Sequence, residues 1–190
     1  VSTVLCSDTA TQTIQIDPPM PTADFSGGGD GCIPLAVQFT NLSLGGLTFQ
    51  WNFGDGGTSA AQDPLYTYNT PGTYSVTLTA FGLGGAVNTV THMDIVIARP
   101  RASAYFVLQP NEVLVPSQPV FTYNLSANAN SYVWDFGDGT TSTETNPVHY
   151  FSAPGTYDVM LIANNTWNCP DTFLLLAAAT GIPAGDLVFP

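Results

Sequence analysis

Two carboxylates three residues apart, Asp135 and Asp138, lie in the stretch WDFGDGTTS (Trp134 to Ser142). Eighty-three residues earlier the chain reads WNFGDGGTS (Trp51 to Ser59), with Asp55 in the place of Asp138. Paired carboxylates can do acid–base work, and hard oxygen ligands suit calcium. Two histidines, His92 and His149, and three cysteines, Cys6, Cys32 and Cys169, complete the set of groups that could act as base, nucleophile or soft metal ligand.

Catalysis needs a base or nucleophile whose partners orient it. In the other copy of the stretch His149 is matched by Tyr66, and His92 is not repeated, so neither histidine belongs to a recurring Ser–Asp constellation. The paired carboxylates sit on a duplicated core strand and turn. Both histidines and both signatures therefore read as structural, and no catalytic residue is assigned. The odd, widely spaced cysteines lack any metal spacing such as C-x-x-C. Buried or free thiols and disulfides both remain open for them.

Composition narrows the function classes further. The chain has 190 residues, 44 % of them apolar and only 8 % charged. It has no lysine, and Arg99 and Arg101 are its only cations, so fourteen carboxylates leave a net charge of −12. A nucleic-acid reader needs a cationic footprint, and adhesion to anionic lipid needs one too. Neither partner is expected. The longest apolar run, FLLLAAA (Phe173 to Ala179), is far too short for a membrane helix, so direct membrane insertion is not expected either. No positively charged apolar leader opens the chain, which reads as a mature product or a segment of something longer.

The elements that must hold these residues come in duplicate. DPLYTYNTPGTYSVTLTA (Asp63 to Ala80) lines up with NPVHYFSAPGTYDVMLIA (Asn146 to Ala163) at the same offset, and NLS at Asn41 meets NLS at Asn124. A constant offset over so many segments means two copies of one domain. LCSDTATQTIQI (Leu5 to Ile16) resembles NCPDTFLLLAAA (Asn168 to Ala179), so residues 1–19 read as the last strand of a preceding copy. Val37, Phe39 and Asn41 alternate with polar neighbours, as do Tyr132, Trp134 and Phe136, and Tyr157, Val159 and Leu161. Period-two runs between Gly, Pro, Asn and Asp clusters predict short strands and no helices, hence a small sandwich in each copy. Trp134 and Phe136 share the core face of one strand, and Gly137 to Gly139 allow a tight reversal with positive φ. Tyr157 has the look of a tyrosine corner.

The sequences WNFGDG, DPLYTY and PGTYSVTL, and again WDFGDG, NPVHYF and PGTYDVML, resemble the PKD domain, an immunoglobulin-like sandwich found in tandem in extracellular proteins. Tyr66 stands for the usual histidine, Asn52 for the first aspartate and Phe151 for the usual tyrosine. The expected fold is all-β: two tandem immunoglobulin-like (PKD) β-sandwiches plus an N-terminal strand from a preceding repeat. The boundaries read as 1–19 for that strand, 20–99 and 100–180 for the two domains, and 181–190 for a linker. In CSDT, CPDT, CIPLAVQFTN and the tail GDLVFP the style is similar to PKD arrays of Bacteroidota surface proteins, type IX secretion substrates and gliding-associated proteins.

The resemblance implies further features. Some PKD domains bind calcium near the FGDG turn, which makes Asp55, Asp135 and Asp138 the metal candidates and calcium the only cofactor in view. Solvated turn aspartates are the competing reading. Thr9, in Asp8-Thr9-Ala10, resembles a Bacteroidota O-glycosylation site; Asn41, Asn124 and Asn164 open weak N-x-Ser/Thr patterns. In a head-to-tail tandem of such sandwiches, Cys32 would lie at the pole of copy one that faces Cys169 of copy two, so a bridge across the junction is possible. Trp167, in a turn before the last strand, fits no core and is a candidate contact residue. The expected function is a non-catalytic extracellular module: a rigid spacer or stalk in a cell-surface adhesin or filament. The orphan strand could pair with neighbouring copies by β-strand addition. The alternative is a glycan- or protein-binding accessory module of a secreted multidomain protein or enzyme. Aromatics clustered on one exposed sheet face would favour it, whereas the alternation places most aromatics inside.

Overall fold

The computed structural model describes residue 11 and residues 19–183. Thr9, the body of the strand read over residues 1–19 and the GDLVFP tail lie outside the described residues.

Among the described residues the chain is all-β, with one short 3₁₀ turn at Leu83–Gly85. The first copy contributes β1 (Phe25–Ser26), β2 (Gly29–Cys32), β3 (Leu35–Gln38), β4 (Thr40–Asn41), β5 (Thr48–Asn52), β6 (Thr58–Ser59), β7 (Leu65–Tyr68), β8 (Gly72–Phe81) and β9 (Val87–Arg99). One layer is a five-stranded sheet in the order β2-β9-β8-β5-β6; the other is made of the pairs β1–β4 and β3–β7. The second copy repeats the plan with β10 (Phe106–Gln109), β11 (Glu112–Val115), β12 (Val120–Asn124), β13 (Ser131–Asp135), β14 (Thr141–Ser142), β15 (Val148–His149), β16 (Gly155–Asn164) and β17 (Asp171–Pro183). Its layers are β11-β17-β16-β13-β14 and β10-β12-β15. Only β2 on β9 and β11 on β17 run parallel.

The alternating residues close the layers. Trp51, Phe53, Phe39, Val76 and Leu78 are fully buried in copy one, as are Trp134, Phe151, Val159 and Leu161 in copy two. Each core tryptophan donates its indole N–H to a loop carbonyl, Trp51 to Ala61 and Trp134 to Glu144, both at 2.9 Å, so neither indole donor is orphaned. Trp51 and Phe53 stack with centroids 6.4 Å apart, and Trp134 and Phe136 do the same. The tyrosine corner is present twice: Tyr74 Oη donates to the Thr70 carbonyl at 2.8 Å, and Tyr157 Oη to that of Ala153 at 2.7 Å. A bulge also recurs, with Asp94 and Ala177 at φ 55° and 49°. In each, the bulged N–H finds a side chain on the neighbouring strand, Ser75 or Asp158. Two separate cores follow, one per copy.

Candidate functional site

The duplicated turns carry the paired carboxylates. After Phe53 and Phe136 the chain reverses through Gly54 (φ 87°) and Gly137 (φ 75°). A Cβ at either position would run into the carbonyl of Ser75 or Asp158, so the backbone demands glycine twice over. The aspartates hold the reversal. Asp135 accepts the Gly137 N–H at 2.9 Å, as the Asn52 side chain accepts that of Gly54. Asp55 accepts the Gly57 N–H at 2.9 Å and the Tyr66 hydroxyl at 3.0 Å. Asp138 accepts the Thr140 N–H and hydroxyl at 3.0 and 2.6 Å, and its other oxygen lies 2.8 Å from His149 Nε2. Tyr66 and His149 thus do the same job by different chemistry, each ring stacked on the preceding phenylalanine at 3.9 and 4.0 Å.

Burial pushes the Asp138 carboxyl up, but the hydrogen bonds from Thr140 and His149 outweigh it and hold the group below the ordinary carboxylate value. Burial and the Asp55 hydrogen bond both raise the Tyr66 phenol. Calcium takes six to eight oxygen ligands. Among the described residues no three His, Cys, Asp or Glu side chains gather as a metal would need. Asp55 and Asp138 use both oxygens on protein donors, while Asp135 accepts one backbone N–H on Oδ1. The N-x-Ser/Thr patterns fare similarly: the Nδ2 atoms of Asn41 and Asn124 are buried, and that of Asn164 donates to Asn168 at 2.8 Å.

The junction between the copies concentrates more chemistry. Both cations of the chain are here. Arg99, the last residue of β9, forks onto Asp30 of β2 with two contacts of 2.7 Å. The hydrogen bond and charge of each hold the Asp30 carboxyl below, and the Arg99 guanidinium above, its usual value. The same guanidinium lies 5.9 Å from the ring centroid of Trp167, a residue of copy two that is 48 % exposed. Arg101 Nε donates to the Ile33 carbonyl at 3.1 Å. From the far side, Asn165 Nδ2 donates to the Pro100 carbonyl at 2.9 Å, and the Ala102 N–H to that of Cys169 at 2.9 Å. Cys32, at the end of β2, faces Cys169, just before β17, with Cα atoms 5.5 Å apart at a sequence separation of 137. The linker is therefore gripped on both flanks.

Alternation leaves most aromatics buried or half-buried, but it misses a patch in copy two. Tyr105, Phe121, Tyr123 and Tyr150 are 44–55 % exposed. On β12 the in–out phase is that of copy one but the residue types are swapped: Val120 and Thr122 point inward while Phe121 and Tyr123 point out. The buried Thr122 donates its hydroxyl to the Pro147 carbonyl at 2.8 Å. In copy one the matching residues are Gln38, Phe39 and Thr40, and Phe39 is the fully buried one. A comparison of VQFTN with VFTYN, strand phase by strand phase, would have found the patch.

Relatives share the plan. The PKD domain profile matches residues 18–97 and 100–173. A stretch of 35 residues is 60 % identical to collagenase ColQ1 of Bacillus cereus (strain Q1), covering 18 % of this chain and 4 % of that protein. A stretch of 124 residues is 29 % identical to polycystin-1-like protein 1 of Oryzias latipes, covering 63 % of this chain and 4 % of that protein. The chain thus spans about 4 % of the length of the curated relatives it matches. Among solved structures, the PKD1 domain of Vibrio anguillarum Epp is 32 % identical over 44 % of this chain and 100 % of that one, with a TM-score of 0.38. With the profile covering both copies of the repeat, the chain belongs to the PKD domain family.

Proposed function

We propose that the chain is a non-catalytic extracellular spacer whose two sandwiches are coupled stiffly at the Arg99–Arg101 linker. The observation that carries this reading is that the linker is held from both sides: Arg101 donates to the Ile33 carbonyl of copy one, while Asn165 of copy two donates to the Pro100 carbonyl and Arg99 lies 5.9 Å from the Trp167 ring centroid. A chain with 8 % charged residues would not gather its cations there by composition alone. The Cys32–Cys169 bridge belongs to the same proposal. It would restrict rotation of one sandwich on the other, and such bridges persist in oxidising compartments outside the cytosol. Turn carboxylates held by neighbouring donors support a structural role for the FGDG signatures.

Residual dipolar couplings measured separately for the two domains test the stiffness. A rigid pair shares one alignment tensor in magnitude and orientation. Independent tensors in the oxidised protein would sink the spacer reading. Divergence only after Cys32→Ser combined with Arg99→Ala would locate the coupling at the junction.

The wider setting is a further proposal and rests on the sequence resemblance: the stalk of a Bacteroidota-type cell-surface adhesin or filament, exported by type IX secretion, with residues 1–19 pairing to a neighbouring copy. Electron microscopy of native material together with the intact mass tests it. Regular fibres of a short chain favour the filament; isolated beaded rods of a much longer chain favour the stalk.

A further inference from the structure

The two copies share a scaffold but not an outer surface. In copy two, Tyr105 is joined to Leu125 by a backbone hydrogen bond of 2.8 Å, Val107 lies opposite Tyr123, and Gln109 and Val148 flank Phe121. Val107, Gln109, Phe121, Tyr123 and Val148 face outward from the β10-β12-β15 sheet, with Tyr105 at its edge. The same hydrogen bonds fix the matching positions in copy one. Asp24 and Tyr105 each accept from the residue after the NLS asparagine and donate to its serine, Ser43 or Ser126. The copy-one counterparts of Tyr105, Phe121, Tyr123 and Tyr150 are Asp24, Gln38, Thr40 and Thr67, all polar. The fold therefore does not need aromatics there. Tyr105 leans edge-on against Phe173 of β17 at 5.1 Å, whereas Phe121 and Tyr123, on the solvent phase of β12, gain nothing from a core and add an adhesive surface.

The chemistry of the face narrows its occupant. An open groove runs beside it, lined by Gln109, Asn111, Phe121 and Tyr123, and no lining residue carries a formal charge. A second copy would bring two chains of net charge −12 together with no cation on the face to offset them. An anionic polymer meets the same repulsion. A neutral sugar chain does not. Its C–H faces lie flat on aromatic rings, and its hydroxyls exchange hydrogen bonds with amides and tyrosine hydroxyls. Phe121 and Tyr123, two residues apart on one strand, set two rings about 7 Å apart along it, spaced to meet successive parts of an extended chain. We propose that the outer face of the β10-β12-β15 sheet, in copy two only, binds a neutral polysaccharide. This goes beyond the spacer function and does not depend on it.

The test is affinity electrophoresis and pull-down of the 190-residue chain against cellulose, chitin, galactomannan, arabinoxylan and dextran. The variant Phe121→Gln/Tyr123→Thr carries the residues that copy one itself uses at these positions, so its melting temperature is expected to stay within a few degrees of wild type. Retention by at least one of these glycans, weakened at least tenfold in the variant, is the expected result. Should the variant unfold, Phe121→Gln alone, again the copy-one residue, is expected to weaken retention severalfold. Retention by none of the glycans overturns the proposal. So does equal retention of wild type and folded variant. Concentration-dependent dimerisation that the variant abolishes, without glycan retention, assigns the face to a second copy instead.

Discussion

Asp138 shows what a single residue contributes here. Its side chain is 9 % exposed, and one oxygen serves Thr140 while the other meets His149. Hydrogen bonds to a charged group are worth about 1.5–3 kcal/mol. Asp138→Asn is therefore expected to lower the unfolding free energy of the second domain by about 2 kcal/mol in urea denaturation. The pH dependence has a definite sign. The folded carboxyl titrates below its ordinary value of 3.8, so its contribution is fully present above that value and is lost as pH falls through the folded one. The gap between wild type and Asp138→Asn should thus be widest near neutrality and close in acid. A gap that grows in acid would contradict the assignment. The calcium reading is separable from this. If the turns are held by protein donors alone, millimolar calcium and a chelator should give the same melting temperature. A calcium-dependent rise would show a ligand binding the folded state.

At the scale of elements, the FGDG turn is the part most constrained by the backbone. Gly137 and Gly139 both have positive φ, at 75° and 88°, but only Gly137 faces a carbonyl where a Cβ would go. Gly137→Ala is expected to cost about 3 kcal/mol and Gly139→Ala about 1 kcal/mol, read by chemical denaturation. Equal costs would mean that the clash with Asp158 relaxes. This turn was legible in the sequence, because W-x-F-G-D-G joins a period-two aromatic pair to residues that only a tight reversal wants. The PGTY corner was legible for the same reason. The outward rings of β12 were not. Alternation reports that residues two apart share a face, but not which face. Read alone, VFTYN makes Phe121 and Tyr123 look like core; only its phasing against VQFTN of copy one, or the pairing to β10 and β15, turns them outward. The partners of the cations were hidden by distance: Arg99 meets Asp30, 69 residues away.

The molecule as a whole is an acidic pair of sandwiches whose only positive charge sits at its waist. The Arg99–Asp30 pair is largely solvent-facing, so Arg99→Ala is expected to change stability by less than about 1 kcal/mol, with the effect fading in high salt. A larger, salt-insensitive loss would mean that the packing of the guanidinium near Trp167 matters more than its charge. The same concentration of cations has a consequence for proteolysis. Enzymes that cut after lysine or arginine find two such residues in the 190, and the bond after Arg99 leads into Pro100, which they cleave poorly. The bond from Arg101 to Ala102 is left. Cleavage there would leave Cys32 on one fragment and Cys169 on the other, still tied to each other if the bridge forms. Trypsin should therefore give one band on a non-reducing gel and two on a reducing one. A strut built this way can be nicked at its most vulnerable peptide bond and still hold its two halves together.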